Sequence, residues 1–139
     1  RPDGCGDDDY LAQLQSGLQQ LQALCQPELI FYLAGADPHE GDRLGRLQLS
    51  FAGLQMRDRM VLQWAGKRRI PLAMVMAGGY GKDMADTVQV QINTFALAYE
   101  AGNTGKINGY DFSNNRPQAL PRSAFKTFKD IATRWIDND

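Results

Sequence analysis

Leu29–Gly45 (LIFYLAGADPHEGDRLG) and Leu72–Asp83 (LAMVMAGGYGKD) carry the reading of this chain. Each begins as an apolar run of strand length and then breaks into small and polar residues. The first break delivers Asp37, and the second sets Tyr80 on a glycine turn, Ala77-Gly78-Gly79-Tyr80-Gly81. Continuous apolar runs of this kind fit strands covered on both faces. Between them Ser50 can cap a helix running to about Gly66, with Phe51, Leu54, Val61, Trp64 and Ala65 as its core face. Strand, helix, strand predicts a right-handed βαβ unit in a parallel sheet flanked by helices. Both breaks then emerge at one carboxyl edge, where α/β folds build their sites. A carboxylate that can hold a metal and a phenol that can polarise a carbonyl suggest metal-assisted hydrolysis.

Outward from this unit, Leu11, Leu14, Leu18, Leu21 and Leu24 recur at helical spacing behind Asp7-Asp8-Asp9, which suits a helix N-terminus. Pro27 ends that helix. Ala85, Val88, Ile92, Phe95, Ala96 and Tyr99 predict a third helix with its core on the sheet. Arg57 and Asp58 intrude on the core face of the middle helix. Composition shifts after Gly102: residues 103–122 read as a linker, and Phe125, Phe128, Ala132, Trp135 and Ile136 as a short amphipathic helix. The division expected is therefore 1–102 and 103–139. Two strands are too few for a closed parallel sheet, and the chain opens on Arg1-Pro2-Asp3-Gly4 without a Met. The missing strands are expected upstream in the same polypeptide.

A chain of 139 residues fits one modest domain. Its 43% apolar content places it outside the disordered class, and no apolar run nears the ~18 residues of a membrane span. A formal net charge of −1 disfavours direct nucleic-acid binding. Lys67-Arg68-Arg69, the basic cluster, falls between helix and strand and reads as a solvated loop. Cys5 and Cys25 form no metal-binding spacing and read as free thiols, in keeping with a cytoplasmic location.

Each candidate residue has a plain alternative. Asp37 could cap a helix or bond its own loop instead of binding a metal. His39, beside Pro38 in a polar loop, could co-ligate a metal but is expected to be exposed. Asp42-Arg43 more plausibly pins the loop. Gly78 and Gly79 permit close approach to a ligand, and Tyr80 behind them can donate to a developing oxyanion. A packed tyrosine on a glycine turn is the alternative. A phosphate loop fails, because Asp83 follows Gly81-Lys82 and Met76 stands where the upstream glycine is required.

Taken as a set, Tyr32-Leu33-Ala34-Gly35-Ala36-Asp37, Gly41-Asp42-Arg43-Leu44-Gly45, Arg57-Asp58-Arg59 and Ala77-Gly78-Gly79-Tyr80 resemble the histone deacetylase / acetylpolyamine amidohydrolase family, most closely its class IV and bacterial members. The likeness covers about residues 1–100. It implies a partial three-layer arginase/deacetylase α/β fold and the C-terminal part of a zinc-dependent hydrolase acting on acetyl-lysine or small acetylated amines. It assigns Asp37 to the zinc, Tyr80 to the substrate carbonyl, and Gly78 and Gly79 to the acyl-lysine tunnel. The family's Asp-x-His motif and its His-His pair have no counterpart in this chain, whose sole histidine is His39. The 139 residues alone are therefore expected to be inactive. A non-catalytic, partner-binding α/β module is the competing reading.

Overall fold

The computed structural model describes residues 3–103 and the backbone of 104, 106–107 and 110–111. Helix α1 (Asp7–Leu24), strand β1 (Ile30–Ala34), helix α2 (Phe51–Lys67), strand β2 (Leu72–Met76) and helix α3 (Met84–Thr104) follow in order. Two short antiparallel strands, β3 (Lys106–Ile107) and β4 (Tyr110–Asp111), come after α3. Part of the expected linker is thus helical or paired. The amphipathic helix read at 125–136 lies outside the described residues.

Strands β1 and β2 pair in parallel, from Ile30 opposite Leu72 to Ala34 opposite Met76. Helix α2 makes the crossover, as the apolar pattern predicts. Its N-cap is Ser50, whose hydroxyl accepts from Gly53 N–H at 3.1 Å. The Asp7 carboxylate takes both the backbone N–H and the hydroxyl of Ser50, at 2.9 and 2.6 Å, tying the start of α1 to that cap. At its other end α2 closes by bonds from Arg69 N–H to Gly66 C=O and from Ile70 N–H to Ala65 C=O. Arg69 takes φ of 57° there, the left-handed position that usually falls to glycine.

Two clusters form the core. Ala36, Leu49, Leu54 and Val90 pack with Tyr10, Leu47 and Phe51 near the carboxyl edge of the strands. Leu62 and Leu97 pack with Leu72, Ala98 and Ala101 at the other end. Helices α2 and α3 thus cover the face of the sheet that carries Tyr32. The expectation of strands covered on both faces is not met among the described residues: Phe31, Leu33 and Val75 are exposed on the opposite side. The core face of α3 also differs from its apolar pattern. Val90, Thr94 and Leu97 are buried, while Val88, Ile92, Phe95 and Tyr99 are exposed and line an apolar groove with Met76. Thr94 faces inward, where its hydroxyl donates to a buried carboxylate on α2, on the same face as Val90, Leu97, Ala98 and Ala101, which pack in the two core clusters.

Candidate active site

Beyond β1 the chain turns through Gly35, Ala36 and Asp37, and beyond β2 through Ala77, Gly78 and Gly79 to Tyr80. The two turns are stitched by Ala36 N–H donating to Gly78 C=O at 2.6 Å. The parallel register brings them side by side at the sheet's carboxyl edge. Asp37 is exposed there, and its carboxylate lies against two glycine α-carbons. A β-carbon on Gly78 would stand 2.6 Å from Oδ1, and one on Gly35 2.7 Å from Oδ2. Gly79 is equally closely set, against the Ala36 and Thr87 side chains. Glycine at these positions answers a close approach, which any side chain would block.

Asp42 secures the second turn from across the loop. Its Oδ2 accepts Tyr80 N–H at 2.6 Å, and its Oδ1 accepts the N–H groups of Leu44 and Gly45 at 2.8 and 2.7 Å. Burial opposes its charge, yet the N–H donors of Gly45, Tyr80 and Leu44, together with Arg43, hold its carboxyl below the usual carboxylate range. Arg43 completes the clasp, with its backbone N–H and Nε both donating to Tyr80 C=O, at 3.0 and 3.3 Å. Tyr80 is therefore gripped through both backbone groups while the residue stays 56% exposed. The reading of Asp42-Arg43 as a loop pin holds.

Beneath the first turn lies a charged network that the sequence signalled only as two intruding residues. Arg57 and Asp58 are 4% and 1% exposed. Arg57 Nε donates to Asp58 Oδ1 at 2.8 Å, and Nη2 sits equally close to the same oxygen. Asp58 also accepts the hydroxyls of Tyr32 and Thr94, each at 2.5 Å. Arg57 Nη1 donates to Gly35 C=O at 2.7 Å. Burial pushes the Tyr32 phenol well above its ordinary range, against the pull of Arg57. Burial works against the Arg57 charge too, but Tyr32 and Asp58 outweigh it and raise its pKa.

His39 departs from expectation. It is 5% exposed, with its ring 4.4 Å from that of Phe51 and its Nδ1 accepting Gly41 N–H at 3.1 Å. A parallel bridge to Leu49 draws this loop under the start of α2, so a residue read as solvated is packed. Lys67-Arg68-Arg69 is solvated only in part: Arg68 lies over the Trp64 ring at 4.5 Å and reaches Gln22 on α1. Cys5 and Cys25 are both free, as expected.

Metal binding can be tested on the donor set. The Asp37 carboxylate has no hydrogen bond or ion pair among the described residues, so both oxygens are open, and an aspartate oxygen suits zinc. A catalytic zinc takes three protein ligands. Among the described residues no three histidine, cysteine, aspartate or glutamate side chains gather to supply them. Asp37 fits as one ligand, and these residues do not by themselves make a zinc site.

The histone deacetylase domain family matches residues 1–95, which take in both turns, the clasp and the buried network. The chain belongs to the histone deacetylase family. It is 44% identical over 87 residues to an uncharacterised protein of Picosynechococcus sp. (strain ATCC 27264 / PCC 7002 / PR-6), covering 63% of this chain and 29% of that one. Histone deacetylase 2 of Arabidopsis thaliana is 38% identical over 93 residues, 67% of this chain and 24% of that protein. A histone deacetylase of Drosophila melanogaster is 29% identical over 108 residues, 78% of this chain and 20% of that one. The chain thus spans under a third of the length of these relatives. Its α/β architecture is consistent with part of a deacetylase fold, and no helix among the described residues is long and apolar enough to cross a membrane.

Proposed function

We propose that this chain furnishes one metal ligand, Asp37, and the oxyanion donor, Tyr80, of a zinc-dependent deacetylase. The substrates are acetyl-lysine or small acetylated amines, with Gly78 and Gly79 lining the acyl-lysine tunnel. The observation that carries this is the contrast within one edge: an unbonded Asp37 carboxylate seated on glycine, beside a turn whose backbone is clamped while the Tyr80 side chain stays exposed. Family membership supplies the reaction class.

Zinc, when bound, polarises an amide carbonyl and makes water a nucleophile at neutral pH. Asp37 contributes a carboxylate with both oxygens open. Tyr80 donates its phenolic hydrogen to the carbonyl oxygen, most strongly as negative charge builds there. Asp42 and Arg43 prevent the Tyr80 backbone from shifting as it does so. The remaining ligands and the histidine pair come from polypeptide outside these 139 residues, and the free thiols suit a cytoplasmic setting. No nucleic acid or membrane enters the proposal.

In the zinc-loaded domain that contains this chain, Tyr80→Phe is expected to lower turnover on an acetyl-lysine peptide by about 10²–10³, the scale of losing one oxyanion donor. Unchanged turnover would remove Tyr80 from the reaction. The 139-residue chain alone is expected to show no chelator-sensitive deacetylation. A second reading, a non-catalytic module that docks on a partner, is favoured by the exposed apolar residues Leu33 and Val75. It gains if Asp37→Ala and Tyr80→Phe both leave turnover of the larger protein intact.

A further inference from the structure

We propose that Arg57 is a positioning residue for Asp37, acting through the carbonyl of Gly35. Its functional meaning rests on the deacetylase reading, whereas its geometry does not. Gly35 is one wall of the Asp37 seat: its α-carbon lies so close that an added β-carbon would meet Asp37 Oδ2 at 2.7 Å and Gly78 C=O at 3.3 Å. Arg57 Nη1 holds the carbonyl of that same residue at 2.7 Å. Arg57 is in turn fixed by Asp58, and Asp58 by Tyr32 on β1 and Thr94 on α3. One guanidinium therefore sets where the Asp37 turn stands relative to the strand and both helices.

Stability alone is a poor reason for this arrangement. Taking both charges out of water is costly, and a well-packed apolar pair of similar volume is often as stable or more so. What an apolar pair cannot do is direct a peptide carbonyl. The planar guanidinium can, because it serves Asp58 from one edge and Gly35 from another at once. A lysine offers a compact ammonium on a flexible stem, without the fixed fork that holds both acceptors in place. Without that donor the buried Gly35 carbonyl loses its partner, and the Gly35 peptide is free to rotate toward water. The wall of the Asp37 seat moves with it.

Amide hydrogen exchange on the 139-residue chain tests this directly, comparing Arg57→Met with Thr94→Val. Both remove a bond from the buried network, but only the first releases Gly35. Arg57→Met is expected to speed exchange at Ala36, whose N–H bonds Gly78 C=O, by about tenfold or more through local opening. Exchange at Ile30 and at Tyr80, held respectively by Pro71 and Asp42, should change little. Thr94→Val should leave Ala36 no faster than its neighbours. Uniform acceleration in both variants, or none at Ala36 in Arg57→Met, would overturn the inference in favour of a purely structural network. If Arg57→Met fails to fold, Arg57→Lys carries the test, with selective acceleration at Ala36 again expected.

A second readout is zinc affinity in the deacetylase domain, measured by competition with a chromophoric chelator. Arg57→Lys is expected to weaken it by about tenfold, as removal of a supporting group beyond the ligands does, and Asp37→Ala by more. If Asp37→Ala weakens binding and Arg57→Lys does not, the positioning role is wrong. If Asp37→Ala has no effect, the deacetylase reading fails instead, and the amide pattern alone decides the role of Arg57.

Discussion

Asp37 and Asp42 stand five residues apart in one loop, and nothing in composition separates them. Their surroundings do. Asp42 is 8% exposed and spends both oxygens on three backbone N–H groups. Asp37 is exposed, rests on the α-carbons of Gly35 and Gly78, and has no such partner among the described residues. A carboxylate saturated by amides is a structural strut, because its lone pairs are occupied. One left open at the carboxyl edge of a parallel sheet is available for chemistry. The scaffold carboxylate and the one proposed for the reaction are therefore told apart by what their oxygens already hold.

Removing each carboxylate in turn is the sharpest way to break that contrast. In the zinc-loaded domain, Asp37→Ala should lower turnover at least about a hundredfold, the scale of one lost electrostatic contribution to the transition state. The stability of the metal-free chain should change by no more than about 0.5 kcal/mol, as for most surface substitutions. Comparable losses of stability for Asp37→Ala and Asp42→Ala, by urea denaturation, would erase the distinction. Next in size is Gly78→Ala. Its β-carbon would fall 2.6 Å from Asp37 Oδ1, and displacing the carboxylate by about 1 Å should cost turnover about tenfold to a hundredfold. Full activity in that variant would show that the seat does not place Asp37.

Asp42→Ala leaves three N–H groups without an acceptor and should destabilise the chain by about 2–4 kcal/mol, depending on how far water replaces them. Denaturant titration reads this directly. The smallest effect is in pH. The Asp42 carboxyl is held below its ordinary value in the folded chain, so its contribution is present above the unfolded value of about 3.9. That contribution is lost as pH falls through the lower folded value. Protection of the Tyr80 amide should therefore persist through mild acid and fail only below about pH 4. Loss between pH 5 and 7 would assign the clasp to some other group.

Much of this was legible in the chain. The two apolar runs and the helix between them specify the parallel βαβ unit, and Ser50 marks the start of α2. The small residues after each run mark the turns that adjoin at the edge. Periodicity misled on α3, since Val88, Ile92, Phe95 and Tyr99 form the longer apolar stripe and are exposed. The buried face is the shorter one of Val90, Leu97, Ala98 and Ala101, which packs on the two core clusters and carries the Thr94 hydroxyl to Asp58. His39 is buried against the polar character of its own loop for a related reason: its burial depends on a bridge to Leu49 and a ring contact with Phe51, ten and twelve residues away. Arg57 and Asp58 did leave a signal, as charges on an otherwise apolar helix face, but their partners Tyr32, Gly35 and Thr94 lie on other elements.

The sequence by itself determined the parallel strand pair, the carboxyl edge where Asp37 and Tyr80 arrive, and the family, because periodicity and short motifs are local properties of the chain. Only the tertiary structure decided which carboxylate is strut and which is open, which face of α3 is buried, and that Arg57 reaches the Gly35 carbonyl. Those outcomes depend on hydrogen bonds between residues 22 to 38 positions apart, and such partners are chosen by packing rather than by spacing along the chain.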